Sequence, residues 1–250
     1  MLYEIDGFKI DMYGELEVPW SEDKVSLIEL LNRFNVGEML HFVIYRKGKR
    51  KDFSFKLEQK FLPPLRTIYY EFEKEYWGDC CNTFDEDQKH YVYGRLMGLQ
   101  QNHYSFVVNG QRILDIGGGP SSMLLKCIDL KSGLVVDPIP YPDWTIDRYA
   151  MKNIQVSVDV GENVNETGWD EVWIYNCMQH AIDPQKIIEN AKRAAPVLRL
   201  FEWIDIPAHD GHPHELTESN LNEWIGAKGN VIQLAESGCY GKAYYGVFKA

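Results

Sequence analysis

The sequence predicts an α/β protein, a mostly parallel sheet covered on both faces by helices and closed by an antiparallel hairpin, with a small α+β segment in front. Three observations carry this expectation. From Gln111 onward, apolar runs of strand length alternate with stretches of helical spacing, the pattern of successive βαβ units. The run ILDIGGGPSS, Ile113 to Ser122, leaves an apolar strand through a turn that admits almost no side chains, so a ligand can press against its backbone. A second apolar run, GLVVDPIP, ends in an acid, Asp137, about 20 residues after the first glycine, the spacing of a nucleotide-type βαβ unit.

Taken in order, the first segment, to about residue 60, reads as a short strand at Phe8 to Met12, a helix from Ser21, and two strands, Leu40 to Arg46 and Lys51 to Leu57, joined by a Lys-Gly turn. The helix places Leu27, Leu30, Leu31 and Phe34 on one face at i, i+3, i+4, i+7. FLPPLR, Phe61 to Arg66, reads as a linker, because paired prolines stop a strand and favour an extended spacer. That sets the boundary between residues 1–60 and 61–250. Residues 61–108 form a helical cap, one helix carrying Tyr69, Phe72 and Tyr76 and another, capped near Asp85, carrying Val92, Leu96 and Leu99. Residues 109–250 form the core. Its strands are expected at Arg112 to Ile116, Leu134 to Val136, Gln155 to Val158, Glu171 to Tyr175 and Val197 to Trp203. Helices are expected to start at Ser121, at Asp183-Pro184 and at Thr217. The closing hairpin is Val231 to Ala235 and Ala243 to Phe248, with Gly238 and Gly241 in its turn.

The 250 residues, 45% hydrophobic and 25% charged, suffice for one sizeable core and an appendage. A formal net charge of -11 opposes an electrostatic footprint on nucleic acid or anionic lipid, both of which demand clustered lysine and arginine. The basic run RKGKRK, Arg46 to Lys51, reads as a solvated hairpin tip. Five scattered cysteines without a CxxC pair give neither a disulfide framework nor a zinc ribbon, and point to a reducing compartment. With an acidic amino terminus and no long apolar run, the expected location is the cytoplasm.

The strand and turn pattern resembles the class I S-adenosylmethionine-dependent methyltransferases over roughly Leu65 to Ala250. The resemblance implies a Rossmann-like sheet of seven strands ending in such a hairpin, and S-adenosyl-L-methionine as cofactor. It rests on stations at successive strand ends. Asp115-Ile-Gly117-Gly118-Gly119 fits the acidic-x-Gly-x-Gly motif, with Ser121 where a third small residue is usual. The glycines admit the cofactor and the acid helps hold its methionine end. Asp137 matches the acid that binds the two ribose hydroxyls, and Asp159 the acidic position near the adenine amino group, although an Asp-Val-Gly turn is also ordinary loop chemistry. Asn176 ends the fourth strand beside the cofactor. Gln179-His180 resembles the ending that precedes a helix opened by Asp-Pro, and His180 reads either as a base or as a histidine bonded to backbone. Tyr76 and Trp77 read either as closing over the cofactor or, preferably, as core packing. A hydride-transfer fingerprint would want glycine or alanine at position 122, which is serine, after a proline at 120. The sulfonium cofactor fits better, with a nicotinamide-dependent oxidoreductase or a non-catalytic binding module as alternatives.

The loop IPAHDGHPHELT, Ile206 to Thr217, packs His209, Asp210, His212, His214 and Glu215 together, and in the methyltransferase fold lies over the mouth of the site. The HxxHxH spacing is not that of a metal site, so no metal is expected; substrate contact or base work by His212 is the preferred reading. The acceptor is expected to be a small molecule with an O or N nucleophile. In the first segment, IDGFKI and NVGEMLHFVIYRKGKRKDFSFKLE resemble the carboxy-terminal half of a PDZ domain of the bacterial protease type, which implies a peptide or protein partner there.

Overall fold

A computed structural model describes residues 2–10, 15–19, 24–26, 38–46, 49–56, 73–209 and 211–249. The chain divides into two compact units, Met1–Leu65 and Arg66–Ala250.

The first unit is an antiparallel sheet of β1 (Leu2–Ile5), β2 (Phe8–Lys9), β5 (Met39–Arg46) and β6 (Lys49–Lys56) in the order β2-β1-β5-β6. A two-stranded ladder pairs β3 (Glu15–Leu16) with β4 (Val25–Ser26). Ile5, Leu16, Val18, Leu40 and Phe42 form its core. Of the strand expected at Phe8 to Met12, Phe8 and Lys9 form β2 and Ile10 bridges to Leu16, and Val25 and Ser26, which the helix expected from Ser21 would include, are extended and paired with Leu16 and Glu15. The remainder of that helix, the Lys47-Gly48 turn and the FLPPLR linker lie outside the described residues.

The second unit contains a seven-stranded sheet. In chain order its strands are β9 (Arg112–Ile116), β11 (Ser132–Asp137), β12 (Ile154–Val158), β13 (Glu171–Tyr175), β14 (Val197–Trp203), β15 (Asn230–Glu236) and β16 (Cys239–Lys249). Across the sheet the order is β12-β11-β9-β13-β14-β16-β15; the first five are parallel, and β16 enters antiparallel between β14 and β15. All five parallel strands stand where the apolar runs place them. The hairpin turns on Ser237 and Gly238 alone, whereas Gly241 lies within β16, beside the Trp203 ring. Helix α1 (Phe84–Leu96), α2 (Asp143–Ala150), α3 (Pro184–Ala194) and α4 (Glu218–Ile225) accompany the sheet. Asp183 caps α3 by accepting from the Lys186 N–H, and Thr217 and Asn220 form a reciprocal capping box on α4.

Two expectations fail locally. The segment after the glycines is not an α-helix but two 3₁₀ turns, Gly119–Ser121 and Met123–Lys126. Ser122 breaks them by adopting an extended conformation and capping Leu124, and the chain then enters a short strand, β10 (Cys127–Ile128). That strand pairs parallel to β8 (Ser105–Val107), itself paired with β7 (Gln100–Asn102), so the region before residue 108 is part helix and part sheet. Among the described residues, no helix is long and apolar enough to cross a membrane.

Candidate active site

Strand order reverses at β9, whose neighbours β11 and β13 leave in opposite directions across the sheet, and a crevice opens there at the carboxyl ends. It is a cavity of about 420 Å³ floored by Gly117 to Gly119, Val136 to Ile139, and Tyr175 to Cys177.

The glycine turn is held rigidly from below. The Gly117 N–H donates to the Val136 carbonyl at 2.8 Å. Tyr149 of α2 donates its hydroxyl to the Gly119 carbonyl (2.7 Å) and accepts from the Ser122 N–H (2.8 Å). Tyr175 of β13 donates to Asp115 (2.6 Å) and accepts from the Met123 N–H (3.0 Å). Asp115 is therefore turned into the protein, bonded also to the Ser122 hydroxyl, and it does not line the cavity. Burial lifts its carboxyl to about pKa 7, against the pull of its two hydroxyl donors. Its observed contact is with the turn.

Asp137 does reach the cavity. It is 6% exposed, and its two oxygens accept from the Gly119 N–H at 3.1 Å and the Ile139 N–H at 3.0 Å. One bond to each oxygen leaves lone pairs over. Burial raises this carboxyl to about pKa 6, so the site favours further donors. Asp159 does not come to the cavity: it is exposed and closes its own turn, accepting from the Val160 N–H and the Asn163 amide, both at 2.8 Å. Val160, Gly161 and Glu162 form that wall instead. Asn176, at φ +49°, lines the cavity, donating to Glu86 (3.3 Å) and accepting from Gln179 (3.1 Å).

His180 and His212 meet at the opposite wall, with ring centroids 4.4 Å apart and edge to face. The His180 Nδ1 lies 2.7 Å from the Gly211 carbonyl, which can only accept, so Nδ1 carries the proton and Nε2 the lone pair. Burial lowers its pKa, as it does that of His212, brought to about 4; both rings are neutral near pH 7. His209 packs against His212 with ring centroids 4.4 Å apart and the rings tilted at 49°, while His214 turns away to the Ile182 carbonyl. The described residues contain no cluster of metal-ligating side chains, and Asp210 lies outside them.

Several lining residues carry no motif. Tyr76 and Trp77 line the cavity beside Glu73, and Trp77 also packs against the small core of Cys80, Ile139 and Tyr141. From α1 come Glu86, Lys89 and His90. His90, 1% exposed, receives the Lys126 ammonium at Nδ1 (2.9 Å), which leaves its proton on Nε2 as a neutral donor. The available signal was a polar stripe at i, i+3 and i+4 in a helix otherwise read for its apolar face.

Beneath the site, Glu202 of β14 is fully buried and accepts from the Cys177 and Met178 N–H groups, both at 3.1 Å, with its second oxygen unpartnered. Burial lifts its carboxyl to about pKa 8. A group whose folded pKa is raised stabilises the fold below its unfolded value and loses that contribution as pH rises through the folded one. The lowered histidines act oppositely, but only below their ordinary value of about 6.5. Stability is therefore expected to fall from pH 6.5 to 8.5, and Glu202→Gln, which keeps an acceptor for both N–H groups, should flatten that fall in thermal melts. Parallel slopes in the two proteins would refute this.

No protein-family model matches the chain, and no curated protein does. Among solved structures, it is similar to a chain of the complex between the Haloferax volcanii Trm112 methyltransferase activator and a methyltransferase, at 14% identity and a TM-score of 0.50, covering 73% of this chain and 97% of that one. It is likewise similar to Burkholderia thailandensis 1,6-didemethyltoxoflavin-N1-methyltransferase, solved with bound 1,6-didemethyltoxoflavin and S-adenosylhomocysteine, at 10% identity and a TM-score of 0.50, covering 87% of this chain and 97% of that one. The chain shares the methyltransferase fold. Neither match supports the PDZ resemblance of the first unit. Within the methyltransferase fold, the cavity described above stands at the switch point of the sheet, where a ligand is expected.

Proposed function

We propose that this chain is an S-adenosylmethionine-dependent methyltransferase acting on an O or N nucleophile of a small molecule. The observation that carries the reading is the buried Asp137 carboxylate, set beside a close-approach glycine turn at the end of β11 with acceptor capacity unspent toward the cavity. Two vicinal hydroxyls suit it. Asp137 and the backbone of Gly117 to Gly119 would hold the cofactor, with Ile139, Val160 and Gly161 offering an apolar wall and Asn176 a polar edge. Asp115 would act through the turn it braces, and Asp159 is left without a role. When bound, the cofactor supplies an activated methyl group on a sulfonium sulfur.

The chain's own work is alignment, exclusion of water, and removal of a proton where the acceptor carries one. His180 is placed for the last task, because the Gly211 carbonyl fixes its tautomer with Nε2 as the acceptor, whose one hydrogen-bonding neighbour among the described residues is a long contact of 3.4 Å from the Gln179 amide nitrogen. His212 backs it. The test has two parts: calorimetric binding of S-adenosylhomocysteine and not of NAD, and transfer of label from S-adenosylmethionine into small molecules of a cell extract. His180→Ala should leave S-adenosylhomocysteine affinity unchanged and lower turnover by about 100-fold, the lower range for loss of a general base. A matching loss of binding would assign His180 to the cofactor instead. For the first unit, the PDZ resemblance supports a peptide or protein partner, and a cytoplasmic setting follows from the cysteine usage.

A further inference from the structure

We propose that the acceptor is an amine that enters as its ammonium ion and is methylated on nitrogen, with Glu73, Gln179 and His180 as its recognition and proton-accepting groups. This rests on the methyltransferase reading above. Four carboxyl side chains line the cavity, Glu73, Glu86, Asp137 and Glu162, against one lysine, Lys89, and that lysine is already paired with Glu86 at 3.1 Å. Glu162 is occupied by the Ile182 and Asp183 N–H groups, and Asp137 belongs to the nucleoside end. Glu73 has no lysine or arginine partner among the described residues. Its one ionic neighbour is His180, with Nδ1 3.4 Å from its Oε1. Burial and the nearby Glu86 raise Glu73 to about pKa 7, the state of a carboxyl short of a counter-charge.

Gln179 points the same way independently. It is 7% exposed and lines the cavity; its amide nitrogen donates to Asn176 at 3.1 Å and lies 3.4 Å from His180 Nε2, and its Oε1 is buried with no partner among the described residues. A buried acceptor left unpaired is costly, so this wall favours a donor. Gln179, His180 and Glu73 all line the same cavity. Tyr76, Trp77 and Trp203 bring aromatic side chains to the same cavity, the residue type that suits a cation with an apolar body.

Other nucleophiles fit worse. A carboxylate or phosphate would face Glu73 and Glu86 with only a lysine already committed. A phenol that lost its proton would become an anion beside the same two acids. An ammonium ion instead gives one proton to His180 Nε2, and the resulting imidazolium lies against Glu73 and the Gly211 carbonyl. The neutral nitrogen then forms the N–C bond with its lone pair while the C–S bond breaks and its pair stays on sulfur. The positive charge passes from sulfur to nitrogen and remains in an acid-lined cavity.

The experiment uses the full chain saturated with S-adenosylhomocysteine and ligand-observed NMR with matched trios differing only in an amine, hydroxyl or carboxylate, among them tyramine, tyrosol and 4-hydroxyphenylacetate, with alkyl and cycloalkyl sets beside them. The amines should bind about 10-fold tighter than their partners, the worth of one charge-assisted hydrogen bond. Glu73→Gln should abolish that preference with the S-adenosylhomocysteine affinity unchanged, and Gln179→Leu should weaken amine binding alone. Equal binding across the trios, a preference that survives Glu73→Gln, or no amine binding at all would overturn the proposal. Failure of wild-type protein to bind S-adenosylhomocysteine would instead overturn the methyltransferase reading, and that loading step comes first.

Discussion

Asp137→Asn should weaken S-adenosylhomocysteine binding by about 100-fold in isothermal titration calorimetry. Hydrogen bonds to a charged group are worth about 1.5–3 kcal/mol, and the variant removes both the charge and one acceptor oxygen from a site where two ligand hydroxyls are expected. Such a loss, near 2.7 kcal/mol, is two decades in Kd. The variant should still fold, because the glycine turn is pinned separately by Tyr149 at the Gly119 carbonyl and by Tyr175 at the Met123 N–H. An unchanged melting curve with weakened binding is therefore the expected pair of results. Wild-type affinity in a folded variant would sink the assignment of this end of the cavity.

A methyl group added at Gly117 should destabilise the second unit by about 3 kcal/mol, seen as a drop of roughly 10 °C in Tm. Two costs add. Gly117 sits at φ +75°, a left-handed conformation that costs an L-residue about 1–2 kcal/mol. The new Cβ would come 2.5 Å from both the Cβ and the Sγ of Cys177, which is itself packed at the foot of the cavity, and overpacking of that kind costs about 1–3 kcal/mol. Gly168 provides the control: at φ +82° with nothing within 4 Å of its added Cβ, Gly168→Ala should show the backbone cost alone. Equal losses in the two variants would mean that the contact with Cys177 relaxes freely.

The parallel core was legible because its strands are buried on both faces, so Leu134–Val136 and Val172–Tyr175 read as unbroken apolar runs, and Ile113–Ile116 is interrupted by Asp115 alone. Helix α2 went unread: Asp143–Ala150 is short and half polar, with only Thr145 and Tyr149 buried. The short strands β7, β8 and β10 were equally hidden, since two or three residues make no period. At the site, the residues legible from the strand-end pattern were backbone and carboxylate stations, and the pattern could not tell inward from outward. Asp115 and Asp137 both lie near the carboxyl ends of adjacent strands, but Asp115 is level with Val135, two residues deeper in the sheet, where Tyr175 and Ser122 clasp it, whereas Asp137 opens on the cavity. Glu73, Glu86 and His90 were invisible for a different reason: a polar residue on a helix looks solvated until the sheet it packs against is known.

The contact between His180 and Gly211 ties the chemistry to the wall that encloses it. The loop after β14 supplies the carbonyl that keeps the proton on Nδ1, so the tautomer of His180 is set by a backbone group 31 positions further along the chain. In the proposed mechanism this loop is then part of the base as well as part of the wall: a substitution that displaces the Gly211 carbonyl should change which imidazole nitrogen accepts a proton, with no change to the histidine itself.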